Sequence, residues 1–181
     1  MGKVKLSEFE WKLCALALGY DRLLGFPEYD LNLDEGDRDE VRKSLLEKNM
    51  LEEKEGNYQF TPLCQYFFRI MHEADAWIMV EKEENHFVRR IYVKGADYLS
   101  VEGQEQEISL LLLPLLPLAV GAIADAVGED TGDVRITGCS GSSTLELTPE
   151  KLKEYSIQDC VNFITVWLLK GLGEGGDQDG R

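Results

Sequence analysis

The chain has 181 residues, of which 34 are acidic and 19 are lysine or arginine, giving a formal charge of −15 and a sequence pI near 4.5. A protein that owes its affinity to neutralised phosphates needs a positive field, so this balance argues against a nucleic-acid or anionic-membrane partner. With 44% hydrophobic and 9% aromatic residues there is ample material for a core, and the length suits one large domain or two small lobes rather than a disordered chain.

The opening MGKVKLSEFEW turns polar before an apolar run can form. No secretory signal is expected and a reducing cytoplasm is the natural location. Ser7-Glu8-Phe9-Glu10 reads as a capping box that starts a helix at Ser7. Phe9, Leu13, Leu16 and Ala17 form its apolar stripe, and Gly19 ends it. The stretch to Gly36 reads as loop. Asp37-Arg38-Asp39-Glu40 is a second capping box, and Val41, Leu45 and Leu46 line a helix that should stop near Asn49. Two short strands about a Gly56-Asn57 turn follow. Thr61-Pro62 then opens a third helix, with proline at N1, where its missing N–H costs nothing. Helix, helix, hairpin, helix is a winged-helix-like order.

From Ala76 the period changes. Runs at 76–80, 87–93, 98–102 and 107–113, separated by turn residues such as Gly95 and Gly103-Gln104, predict a four-stranded antiparallel meander. In the second run Phe87, Ile91 and Val93 share one side while Val88, Arg90, Tyr92 and Lys94 share the other, which suggests one covered face and one partly open. The apolar stretch 108–127 is interrupted by Pro114 and Pro117, so a buried strand leading into a buried helix is expected rather than a membrane span. A further hairpin around 138–143, a short helix from Thr148-Pro149, and a last helix capped by Ser156 complete the pattern. Ile157, Val161, Ile164 and Leu168 form the last helix's stripe, joined by Phe163 and Trp167. The expected fold is α+β: a winged-helix-like lobe of helices and hairpin over 1–75, an antiparallel sheet packed with C-terminal helices over 76–172, and a disordered tail over 173–181.

Little in the chain promises chemistry. Cys14, Cys64, Cys139 and Cys160 are scattered, without the spacing of a metal site, and are expected as free thiols. Gly138-Cys139-Ser140-Gly141-Ser142-Ser143 misses the nucleophile elbow because Ser142 stands where its last glycine belongs. A hydrolase using Cys139 or Ser140 is excluded if both side chains are buried with no histidine, His72 or His86, within hydrogen-bond reach. No phosphate-binding, dinucleotide or H-E-x-x-H motif is present. No cofactor, no metal and no catalytic residue is therefore expected. As a DNA reader, the second helix balances four bases with four acids over 37–48, and the hairpin sets Lys54 among Glu52, Glu53 and Glu55. That charge favours a winged helix reused for protein contacts. The alternative reading remains a winged-helix transcription regulator with a ligand-sensing sheet domain.

Charge is uneven along the chain: residues 1–75 hold 16 acids and 10 bases, 76–99 hold four of each, and 100–181 hold 14 and five. The neutral meander thereby stands out as the place for a protein partner.

The N-terminal helix, the loop with Pro27, the stretch Arg38 to Leu51 with Leu45 and Leu46, the small hairpin, the next helix and a meander ending in Leu110-Leu111-Leu112-Leu113-Pro114 together resemble the EspG family of ESX (type VII) secretion-associated proteins. The resemblance covers roughly residues 6 to 127. It implies a cytosolic specificity chaperone that binds one helical secretion substrate without ATP or metal. In that family the substrates are helical hairpins of the PE/PPE kind, and a WXG- or LXG-type substrate is an extension of the idea. No catalytic residue follows from it, and neither a nucleic-acid partner nor membrane insertion. The expected partner-binding residues are Trp77, Met79, Arg90, Tyr92 and Lys94 on the solvent side of the meander, since aromatic and arginine side chains dominate binding hot spots. Core packing is the competing role for Trp77 and Met79, a surface salt bridge for Arg90, and the segment 156–172 is a candidate to cover the face.

Overall fold

A computed structural model describes residues 2–24, 26, 37–84, 86–104, 107–128 and 133–174. Its centre is the expected meander: β4 (Ala76–Lys82), β5 (Phe87–Lys94), β6 (Asp97–Gln104) and β7 (Glu107–Leu113), paired antiparallel in sequence order. The meander is extended at both edges. β8 (Val134–Ser140) pairs with β4 and carries β9 (Ser143–Leu147), the hairpin anticipated from the sequence. On the other side β1 (Val4–Ser7), a strand absent from the sequence reading, pairs with β7. The result is a seven-stranded antiparallel sheet in the order β1-β7-β6-β5-β4-β8-β9, and the class is α+β.

The helices arise where the caps place them. α1 (Glu8–Ala17) begins at a complete capping box: Glu10 N–H donates to Ser7 Oγ at 3.1 Å, and Ser7 N–H donates to the Glu10 carboxylate at 2.6 Å. It ends as Gly19, at φ 84°, takes the left-handed position after Leu18. Gly19 N–H then donates to Leu16 O and Tyr20 N–H to Ala15 O, as in a Schellman motif. Its buried side is not the expected stripe but Glu10, Trp11, Cys14 and Ala15; Leu16 is exposed. Tryptophan offers the largest apolar area, so its position sets the rotation of the helix against the sheet.

α2 (Asp37–Glu47) leads to a two-stranded sheet of β2 (Leu51–Lys54) and β3 (Asn57–Phe60). The turn residues are Glu55 and Gly56, both with positive φ, one position earlier than expected. α3 (Pro62–Glu73) is capped by Thr61, whose Oγ1 accepts from Cys64 N–H. The strand β6 runs through Gly103-Gln104, where a turn was expected. The C-terminal part supplies α4 (Leu116–Val127), α5 (Pro149–Leu152) and α6 (Ile157–Glu174). Ser156 caps α6, with Asp159 N–H donating to its Oγ at 3.1 Å. α6 continues through residues 173–174, so the expected tail is helical there, and 175–181 lie outside the described residues, as does the loop with Pro27.

The sheet is the middle of three layers. Ala76, Ile78, Val80, Ile91, Val93, Val134 and Ile136 face α4, α5 and α6 in one core. Leu6, Tyr92, Leu99, Val101, Ile108 and Leu110 face α1, α3 and the α2 segment in the other. The boundary expected at 75/76 therefore does not separate two cores: β1 belongs to the large sheet, and the N-terminal helices bury their apolar sides on strands of the second segment. The winged-helix-like order of elements is present, but it serves as a covering layer.

Candidate protein-contact face

Strand alternation puts Trp77, Met79, Arg90, Tyr92 and Lys94 on one face, as the sequence predicts, and register brings two pairs together: Trp77 lies opposite Tyr92, and Met79 opposite Arg90. The expectation that this face is solvent-exposed is overturned for its middle. α3 packs over β5 and β6, and α1 over β1 and β7. Beneath them Tyr92 is fully buried and its hydroxyl donates to Leu24 O at 2.5 Å. Burial pushes the Tyr92 phenol well above its ordinary range. Arg90 is 8% exposed, with its guanidinium carbon 4.0 Å from the centroid of the Phe26 ring. Burial lowers its pKa from the usual arginine value. The covering comes from the N-terminal helices, while the last helix covers the opposite face. Lys94 is half-buried and paired with Asp75 at 3.2 Å.

Trp77 and Met79 have a different setting. They stand on β4, where the N-terminal layer stops, and both are half-buried. Beside them on the same face come Thr137 and Cys139 of β8, half-buried, then Thr144 and Glu146 of β9, exposed. The Thr137 hydroxyl is buried without a hydrogen-bond partner. This bare corner joins apolar surface to a few polar groups, the composition of a protein-contact patch.

Other candidates from the sequence are dispersed. Ser140 is 1% exposed, with its hydroxyl shut in against Gly171 of α6. Cys139, its neighbour, points to the opposite face and its thiol lies 3.6 Å from Gly141 O. His86 sits in the β4–β5 turn, at the far end of β8 from Ser140, and His72 Nδ1 is 3.2 Å from Arg22 O. Cys14, Cys64 and Cys160 are buried free thiols. The hydrogen bond with Cys64, together with burial, holds the Cys14 thiol far above its usual range, so it stays protonated. Basic side chains of the winged-helix-like elements are held by carboxylates: Lys48 by Glu10 at 2.6 Å, Arg42 by Asp39 at 2.9 Å, and Lys54 by Glu52 at 2.7 Å. Among the described residues, no group of three or more His, Cys, Asp or Glu side chains is placed to hold a metal ion, and no helix is long and apolar enough to cross a membrane.

Two features escaped the sequence reading. Phe163, placed with the buried stripe of α6, is 45% exposed and lines its outer side with Val166 and Leu169. Phe163 is rotated about 100° from Ile164 and about 200° from Val161 around the helix, which turns it to the outer side. Polar residues also cross the face beneath α4, where Arg89, Glu102 and Ser109 are direct neighbours on three strands. In comparison with known proteins, no family model and no curated protein matches the chain.

Proposed function

We propose that the protein is a non-enzymatic cytoplasmic adaptor that binds a helical protein substrate of a type VII (ESX-like) secretion system, the reading its resemblance to the EspG family implies. The observation that supports it is the corner of the sheet where Trp77 and Met79 stand half-buried at the margin of the helical layer. A rigid sheet face with an aromatic and a methionine at its centre suits the apolar side of a helical hairpin. Trp77 and Met79 remain the contact residues in this reading. Arg90 and Tyr92 act as supports, because Tyr92 and Arg90 lie opposite Trp77 and Met79 and fix the sheet beneath them.

The test is photo-crosslinking in the native host with benzoylphenylalanine at Met79, with Trp77→Glu as the disrupting variant. The expected result is one adduct with a small helical secreted protein, lost when Trp77→Glu is combined with the probe while the fold, followed by circular dichroism, is kept. Absence of any such adduct under conditions where type VII substrates are expressed would reject the reading, and a salt-dependent shift of its own promoter DNA would favour the regulator instead.

A further inference from the structure

Opposite the Trp77 corner, on the other face of the sheet, α4 stops short of the β1 edge and leaves a cleft of about 320 Å³ over β6 and β7. Its walls are Leu111, Leu113, Pro117 and Leu118. Its floor is polar. Ser100 and Ser109, 7% and 4% exposed, stand on neighbouring strands, and the row Arg89, Glu102, Ser109 runs beneath. Arg89 donates one Nη to Ala122 O at 2.8 Å and the other to the Glu102 carboxylate, while its Nε–H is buried without a partner. Lys3 Nζ approaches the same carboxylate at 3.3 Å from the mouth.

The cleft lining thus offers donors, the Arg89 guanidinium and the Ser100 and Ser109 hydroxyls, that suit a ligand bringing acceptor oxygens. Two cations, Arg89 and Lys3, share the single carboxylate of Glu102, which leaves a positive surplus on the strand side; Asp125, exposed on α4, stands at the outer rim. Elsewhere the chain is strongly acidic, so the surplus is local. The volume is at the low end for ligand sites, and the leucine and proline walls require an apolar body.

We propose that this cleft binds a small apolar carboxylate, its oxygens on Arg89, Ser100 and Ser109 and its body between Leu118 and the β7 leucines. The same chemistry is offered by a medium-chain acid and by the free C-terminus of a peptide ending in an apolar residue. This site does not depend on the partner proposed for the Trp77 corner.

The full chain, labelled with nitrogen-15, is titrated with octanoate, methyl octanoate, and a hexapeptide ending in Leu as its free acid and as its amide. The expected result is saturable shifts of the Leu111, Leu113 and Leu118 resonances with at least one carboxylate, and binding about ten- to a hundredfold weaker for its neutral counterpart. Response to octanoate alone identifies a free acid, and response to the peptide acid alone identifies a chain terminus. Leu118→Glu, at an exposed rim position that the fold tolerates, is expected to abolish binding with the spectrum otherwise unchanged. The proposal is overturned if neither carboxylate shifts these resonances by about 5 mM, if ester or amide binds as well as the acid, or if Leu118→Glu binds undiminished.

Discussion

Against the face that carries Arg90 and Tyr92, the chain sets large rings: Trp11 of α1, with Phe26 at 4.2 Å and Phe68 of α3 at 6.2 Å between ring centroids. Against the other face, α4 and α6 bring Ala119, Ile123, Ala126 and Ile164, and α6 comes so close that glycine is needed at the contact. One layer is built on filled volume and the other on close approach. The difference also sets where each layer ends, since neither spans the seven strands: the aromatic layer leaves Trp77 and Met79 at its margin, and α4 leaves the cleft beside β7. Two opposite regions of bare sheet are the consequence, and both functional proposals rest on them.

If that contrast holds, truncating a ring and adding a methyl group should each damage one layer. The largest loss is expected on the aromatic side. Trp11→Ala removes a 1%-exposed indole from between Phe26 and Phe68 and should cost about 3 to 5 kcal/mol in chemical denaturation, with Tyr92 fluorescence and near-UV dichroism changing together. A loss below about 1 kcal/mol would mean that the layer is not held by its rings.

On the close-contact side, Gly138→Ala should cost about 2 to 3 kcal/mol, because the added methyl would sit 2.8 Å from Trp77 O and 3.2 Å from the Trp167 ring. A backbone oxygen cannot turn aside as a side chain can. Gly171→Ala should cost at least as much, since its methyl would overlap Ser140 Oγ and lie 2.5 Å from Ser140 Cβ, an atom fixed to the backbone, and Ser140→Gly in the same chain should restore part of the loss. Thermal midpoints of the two single variants and the double variant check this, and a small loss for either glycine variant would mean that this layer is not held by close approach.

The strands of the meander were legible because alternation over seven or eight residues is a strong local signal, and Ser7, Thr61 and Ser156 announced their helices through cap chemistry that is itself local. β1 was not legible: four residues with two apolar side chains become a strand through pairing with β7, about a hundred positions away. The same limit explains the candidate site. Alternation assigned Trp77, Arg90 and Tyr92 correctly to one side, but which helices lie on that side is a tertiary matter, and an arginine in a strand reads as solvent-facing until Phe26 is seen to shield it. Trp77 and Met79, at the margin of that cover, kept the half-exposure expected of the face.

Glu10 offers the finest distinction between the layers, because among the described residues the aromatic side alone is tied by an ion pair whose acid is 3% exposed. Burial pushes its pKa up, but hydrogen bonds from Lys48, Ser44 and the Ser7 N–H outweigh that and hold the carboxyl below its ordinary 4.5. A folded-state pKa below the unfolded one means that the unfolded chain takes up the proton more readily. The stabilisation is therefore present above pH 4.5 and is lost as pH falls through the lower folded value. Lys48→Met should cost about 1 to 2 kcal/mol at neutral pH, less than a fully buried pair because Lys48 is about one-third exposed. It also leaves burial with fewer opposing bonds, so denaturation midpoints followed from pH 7 to about pH 3 should fall less steeply than in the wild type. Glu10→Gln should flatten the same part of the profile, whereas Gly138→Ala should lower the whole curve and keep its slope. A wild-type slope retained in Glu10→Gln would place the acid sensitivity elsewhere and leave the two layers alike in this respect.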